Sequence, residues 1–378
     1  MSRPHAAALI EDALDSQVER VLRSRGWDNR VIAHPGYGST TFVRVLARVI
    51  LGRVRDEPEP PDPDGTAALR PPPSARGWRA FVTAPAAGVP VSVTIGDRVV
   101  HGRSDRGGHV DFVAHDHGLE PGWRQVTLRA AGAAPVPADV FIVADDVEFG
   151  IVSDLDDTVI TTMLPRPMLA AWNTFIRRGQ SRRAVPGMAP LYRALLDEHP
   201  GAPIVFVSTG AWNAATSLTR FLAAAGYPLG TLLLTDWGPT NTGWFRSGQQ
   251  HKRESLSRLA RDFPGISWML FGDDGQHDPE LYADFARMHP DKVVAVCIRE
   301  LTPTEQVLSH PIGRGDSLIG AYVSRTKPTF RASDGYALAP MLRRAGLLGD
   351  RAAADAQPQP DGSARPDRPP LRTEPGQW

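Results

Sequence analysis

Apolar and polar positions change rhythm several times along the chain. Over residues 6–25, Ala8, Leu9, Leu14, Val18, Val21 and Leu22 recur at near-helical spacing, which predicts an amphipathic helix. After the turn Pro35-Gly36-Tyr37-Gly38, the run TFVRVLARVILG alternates apolar and polar residues (Phe42, Val43, Val45 and Val49 among the apolar) and predicts a strand. Between Glu57 and Pro73, seven of seventeen residues are proline, a composition for a linker or exposed loop. From Trp78 to Asp146 six short runs follow: WRAFVTA, VPVSVTI, RVVHGRS, HVDFVAH, RQVTLRA and ADVFIVA. Their spacing of about ten residues, with turn chemistry between them, predicts a small antiparallel β-sandwich.

From Phe149 the pattern becomes strand–helix alternation, beginning FGIVSDL, PGMAPLYRALLDEHP, PIVFVSTG and ending SWMLFGDD, PELYADFARMHP, KVVAVCIREL. Alternation of this kind predicts an α/β fold, a Rossmann-like doubly wound parallel sheet with helices on both faces. The chain therefore divides into an N-terminal helix and β segment (1–56), a Pro-rich linker (57–77), a sandwich-like domain (78–147), an α/β domain (148–345) and a tail (346–378). The last 28 residues carry six prolines and few apolar groups, which predicts disorder.

Composition narrows the class. The 42 basic and 42 acidic residues cancel, which argues against a whole-chain nucleic-acid binder. Only three basic residues are lysines, Lys252, Lys292 and Lys327, so a lysine is unusual here while any one arginine is explained by codon bias. The single Cys297, within VVAVCI, predicts a buried core thiol. No stretch of 18 apolar residues spans a bilayer, and acids interrupt the N-terminal segment where a signal peptide needs an apolar core, so the expected location is cytoplasmic. His101, His109, His115 and His117 fall among the β-type runs; His115-Asp116-His117 lacks further ligands nearby and is expected to be surface histidine. No pattern sets an oligomeric state.

Candidate chemistry collects at strand ends, where α/β sheets place their sites. Asp154, Asp156 and Asp157 put three acids in four residues after the buried run FGIV, a repulsion that a divalent cation relieves. Ser208-Thr209-Gly210 follows IVFV, Lys252 opens a helix, and Gly272-Asp273-Asp274-Gly275-Gln276-His277-Asp278 follows WMLF. The ordered set DxDxT, strand-end Ser, Lys and GDxxxxD resembles the haloacid dehalogenase superfamily of phosphohydrolases. The stretches GIVSDLDDTV, FVSTG, TDWG, HK before a helix, and GDDGQHDPELY narrow the resemblance to the actin-patch-associated phosphatidate phosphatase family, over about residues 30–310. The likeness departs at Thr209-Gly210-Ala211, where that family's pattern has Asn or Gly, Ser, then Pro.

The resemblance implies a Mg²⁺-dependent phosphatase acting through an aspartyl-phosphate. Asp154 is its nucleophile and Asp156 its general acid and base. Ser208, with Thr209 and Gly210, holds phosphoryl oxygens, and Lys252 neutralises charge. Asp154, Asp156 (through its carbonyl), Asp273 and Asp278 hold Mg²⁺. Plainer readings stand beside these: Asp157 and Asp274 as caps, Ser208 as a helix N-cap, Lys252 as a surface lysine, His277 as loop filler, Trp237 and Trp244 as loop packing.

The insertion after Asp156 is short, which implies a minimal cap and an open site. Between Thr158 and Leu196 there is no acid but six arginines, Arg166, Arg177, Arg178, Arg182, Arg183 and Arg193, interleaved with Met163, Leu164, Trp172 and Phe175. That mixture suits an anionic lipid surface, with Arg177 and Arg178 as candidate substrate contacts and a peripheral position on the inner membrane face as the consequence. The expected substrate is phosphatidate or a related lipid phosphate. A soluble phosphomonoester or phosphoprotein is the nearest rival, and a binding module with a vestigial catalytic site the rival of another class.

Overall fold

The computed structural model describes residues 17, 19–53, 84–162, 182–235, 248–275, 277–303, 305–306 and 327–350. Of the helix expected over 6–25, residues 19–24 are helical, and positions up to 16 lie outside the described residues. So do the Pro-rich run 57–73 and the chain beyond 350.

Seven strands form the first sheet: β1 (Trp27–Ser39), β2 (Phe42–Arg53), β3 (Pro90–Ile95), β4 (Arg98–Arg103), β5 (His109–His115), β6 (Gly122–Ala130) and β7 (Val136–Val143). Their order is β4-β3-β6-β7-β1-β2-β5, antiparallel throughout except for the parallel pair β1–β7. The strand expected in a separate N-terminal segment, β2, therefore completes the sheet built by 90–143 together with β1, which was not expected and which runs through Pro35-Gly36-Tyr37-Gly38, read from sequence as a turn. The physical reason is shared burial: Val43, Val45, Val49 and Leu51 of β2 enclose one core with Val91, Val93, Val126, Leu128, Val140 and Ile142. The sheet curls rather than splitting into two layers. A Cβ on Gly102 of β4 would lie 2.5 Å from the ring of Phe112 on β5, so the two edge strands approach each other.

The second unit begins with β8 (Phe149–Asp154), then β9 (Ile160–Thr162), β10 (Arg182–Ala184), α1 (Met188–Glu198), β11 (Ile204–Ala211), α2 (Ala215–Ala224) and β12 (Thr231–Thr235). It continues with α3 (Gly248–Asp262), β13 (Ser267–Asp273), α4 (Asp278–Met288), β14 (Val293–Arg299), β15 (Thr329–Ala332) and α5 (Gly335–Arg344). Six strands form a wholly parallel sheet in the order β12-β11-β8-β13-β14-β15. Central strands of such a sheet are covered on both faces, and every residue of β8 is buried. Alternate strand residues face two cores. Ile151, Phe206, Met269 and Cys297 meet α1, α2 and α5; Val152, Val207, Leu270 and Val296 meet α3 and α4. Cys297 is buried as expected, and burial pushes its thiol pKa up.

The strand order reverses between β8 and β13, so the crevice of this sheet opens at their carboxyl ends. Residues 346–349, assigned from composition to the tail, pack instead on the α/β unit: Leu348 is buried and Gly349 N–H donates to Glu198 Oε1 at 2.7 Å.

Candidate active site

Asp154 is the last residue of β8 and Asp273 the last of β13, so the two carboxylates flank the crevice. Behind Asp154, Ser153 Oγ donates to the Asp154 carbonyl at 2.7 Å, and Tyr192 Oη of α1 lies 2.7 Å from the same Oγ. The chain then turns sharply: Val159 and Ile160 N–H both reach the Leu155 carbonyl at 3.0 Å, and Asp157 takes a φ of +60°. Asp278 opens α4 and is drawn back toward β13 because Gly272 has no side chain. A Cβ there would lie 2.7 Å from Asp278 Cβ and 2.8 Å from its Oδ2.

Lys252 comes from the second turn of α3. Its Nζ lies 2.7 Å from Asp154 Oδ1 and 2.5 Å from Asp278 Oδ1, and the residue is 5% exposed, which removes the surface-lysine reading. Asp154, Asp273 and Asp278 each offer an oxygen within 4.8 Å of the others. With all groups ionised, three buried carboxylates face one ammonium, leaving two negative charges uncompensated. Burial, with Asp278 and Asp156 nearby, raises the Asp154 pKa well above the carboxylate range against the pull of Lys252. Burial, then Asp278 and Asp154, raise Asp273 likewise. Burial works to lower the Lys252 pKa, and the carboxylates of Asp154, Asp278 and Asp273 overcome it and hold the ammonium charged.

This set of groups fits a hard divalent cation. Asp154 Oδ2 and Asp273 Oδ2 are buried with no hydrogen-bond partner, an arrangement that costs free energy unless something positive meets them. The other Asp273 oxygen accepts from Gly275 N–H at 2.7 Å, which aims the orphaned one.

Beside this cluster, Ser208 Oγ donates to Asp156 Oδ2 at 2.9 Å and accepts from Gly210 N–H at 2.9 Å. Ser208 lies within β11 and α2 begins only at Ala215, so it is not that helix's N-cap. The departure Thr209-Gly210-Ala211 continues β11, and Thr235 Oγ1 donates to the Thr209 carbonyl at 2.7 Å. Asp274 Oδ1 accepts from Leu301 N–H at 2.9 Å, tying two strand ends together rather than capping a helix. His277 stands exposed, 3.4 Å from Glu280. Arg166, Arg177, Arg178, Trp172, Trp237 and Trp244 lie outside the described residues.

His117, expected at the surface, is buried and satisfied: Nε2 reaches the Ser39 carbonyl at 2.8 Å and Nδ1 accepts from Leu119 N–H at 2.9 Å. Three features escaped the sequence: the β9–β10 pair, the Ser153–Tyr192 contact, and Arg299 at the end of β14. Arg299 is one arginine in an arginine-rich chain, and no spacing ties it to Asp157, whose carbonyl it reaches at 2.7 Å.

Residues 149–300 match the family described as phosphatidate phosphatase APP1, catalytic domain. Phosphatidate phosphatase APP1 of Saccharomyces cerevisiae is 28% identical over 152 residues, 40% of this chain and 25% of its own length. An uncharacterised Schizosaccharomyces pombe protein, C29B5.04c, is 24% identical over 160 residues, 42% of this chain and 26% of its own length. The chain thus spans about a quarter of the length of these curated relatives. A carbohydrate acetylesterase from Xanthomonas citri shares 10% identity over 79% of this chain and 66% of its own, at a TM-score of 0.29 that carries no argument. The stretch that matches the phosphatidate phosphatase APP1 catalytic-domain family, residues 149–300, contains every acid of the cluster together with Ser208 and Lys252.

Proposed function

We propose that this protein is a Mg²⁺-dependent phosphatase of the haloacid dehalogenase type that removes phosphate from phosphatidate or a related lipid phosphomonoester through an aspartyl-phosphate. The observation that carries the reading is the cluster itself: a buried carboxylate held against a buried lysine, with two further acids whose charge calls for a cation. The match of residues 149–300 to the phosphatidate phosphatase APP1 catalytic-domain family supports the lipid.

In this reading Asp154 attacks phosphorus. Lys252 favours the ionised form of that carboxylate, a pull that a bound cation would complete, and offsets the charge of the incoming phosphoryl group. Asp156, next in the chain but one, gives a proton to the departing alcohol oxygen and then takes one from the water that resolves the intermediate. Ser208 Oγ fixes the Asp156 carboxylate before substrate arrives and would turn its one proton to a phosphoryl oxygen afterwards, with the Gly210 amide released from Oγ as a second donor. Mg²⁺, held by Asp154, Asp273, Asp278 and the Asp156 carbonyl, would neutralise the carboxylates and spread the phosphoryl charge.

Access to the site favours a large substrate. Nineteen residues separate β9 from β10 and twelve separate β12 from α3, too few in either place for a cap domain. Among the described residues no helix is long and apolar enough to cross a membrane, so a lipid would be met from the membrane surface. The test is phosphate release from phosphatidate in mixed vesicles against a soluble alkyl phosphate, each with Mg²⁺ and with chelator. The reading expects Mg²⁺-dependent release that favours the vesicles and is lost in Asp154→Asn. Faster turnover of the soluble ester, indifferent to vesicles, would assign the site to soluble phosphomonoesters.

A further inference from the structure

Arg299 closes β14, one strand beyond the strand that ends in Asp273, and its side chain is 5% exposed. All three arms of the guanidinium are used. Nη1 donates to the Asp157 carbonyl at 2.7 Å, Nε to the Ser333 carbonyl at 3.0 Å, and Nη2 to Glu305 Oε1 at 2.8 Å. The residue's own carbonyl accepts from Asp274 N–H at 3.0 Å. One residue therefore grips the loop that follows Asp154 and the loop that carries Asp273.

The Asp157 bond is the consequential one. Asp157 adopts a left-handed backbone that a residue with a side chain rarely takes, and its N–H is already committed to the Ile160 carbonyl at 2.8 Å. Its carbonyl points out of the turn and is met by Arg299. That carbonyl belongs to the Asp157–Thr158 peptide, so Arg299 on one side and the Ile160 carbonyl on the other pin both peptides of the left-handed residue that directly follows Asp156, whose carboxylate accepts from Ser208. A planar fork with fixed donor directions can hold this peptide and two other partners at once; a lysine ammonium cannot reproduce the three directions.

We propose that Arg299 is a positioning residue for proton transfer: by holding the Asp157 carbonyl it anchors the left-handed turn that follows Asp156 and keeps the Asp156 carboxyl where it can protonate a leaving oxygen. The inference rests on the phosphatase reading above. The partners of the Arg299 side chain are Asp157, Ser333 and Glu305, none of them a proposed phosphoryl contact, so its loss is expected to leave substrate affinity unchanged and to slow the step that needs Asp156. That dependence on the leaving group separates a positioning role from a merely structural one. A p-nitrophenolate leaves without a proton, whereas an alkoxide does not.

The test is single-turnover alcohol release, enzyme in excess, from p-nitrophenyl phosphate and from an alkyl phosphate, in wild type, Arg299→Lys and Glu305→Gln. Arg299→Lys is expected to slow the alkyl ester about 30-fold or more and the p-nitrophenyl ester less than about 3-fold, with substrate affinity unchanged. Glu305→Gln, which loosens the guanidinium while leaving its Asp157 bond possible, should show the same selectivity at about 3- to 10-fold and decides the matter if Arg299→Lys does not fold. Equal losses on both esters, or none on either, overturn the role of Arg299 while leaving the phosphatase reading intact. A wild type that releases neither alcohol, and no phosphate from phosphatidate vesicles, overturns the phosphatase reading itself.

Discussion

Three carboxylates and one ammonium sharing a buried pocket make Asp273 a residue that costs stability unless a cation meets it. Its Oδ2 has no hydrogen-bond partner, and burial together with Asp278 and Asp154 disfavours its charge. Asp273→Asn should therefore melt at a temperature equal to or above the wild type in chelator. In the wild type, Mg²⁺ at a hundredfold excess over its dissociation constant should add about 2.7 kcal/mol of stability, by mass action. In Asp273→Asn that increment should shrink to a small fraction. Calorimetry with and without Mg²⁺ reads both; a destabilised Asp273→Asn that still gains the full increment would mean that the acid is not a cation ligand.

The elements that carry these residues were legible to different degrees. Buried parallel strands announce themselves as continuous apolar runs, so FGIV, IVFV and WMLF located β8, β11 and β13, and the acids after the first and last, with Ser208 after the second, marked the candidate site. Lys252 stood out because lysine is scarce in this chain. What depends on pairing across distance was not legible. The parallel contact of β1 with β7 joins segments a hundred residues apart, and nothing local in TFVRVLARVILG says which strand it will meet. The three-residue strands β9 and β10 are too short to carry a period. Gly272 shows the same limit in one position: its value lies in the approach of Asp278 from the next helix. Gly272→Ala should push Asp278 away from Lys252 and Asp273. The expected result is a kcat lower by about tenfold or more and weaker Mg²⁺ binding, with the cost of overpacking held to about 1–3 kcal/mol. Unchanged kcat and Mg²⁺ affinity in steady-state titrations would show that the close approach is dispensable.

At the scale of the whole molecule, the first sheet rests on the two elements that matter most to the site. Tyr37 Oη donates to Asp262 Oδ2 at 2.8 Å at the end of α3, the helix of Lys252. Trp212, four residues after Ser208, lies with its ring centroid 5.0 Å from His34 of β1 and 6.0 Å from His109 of β5. His34 is buried there, and burial, then His109 and Arg48, lower its pKa to about 3. Its proton is bound far more readily by the unfolded chain, so stability is full above the ordinary histidine pKa and falls as pH drops from about 6.5 toward 3. The loss should be on the order of a few kcal/mol by pH 4, and His34→Gln should flatten that part of the stability curve; denaturant titrations with the same acid slope in both proteins would contradict it. These contacts join the sheet to the elements around the acid cluster, where Asp154 is the proposed nucleophile. The most direct measurement is acid-quench trapping with ³²P-labelled p-nitrophenyl phosphate in Asp156→Asn, where the first step needs no acid and the second lacks its base. A stoichiometric, hydroxylamine-labile phosphoryl group on Asp154, absent from Asp154→Asn, is the predicted result. A trapped label on another residue, or undiminished turnover by Asp154→Asn, would contradict the account.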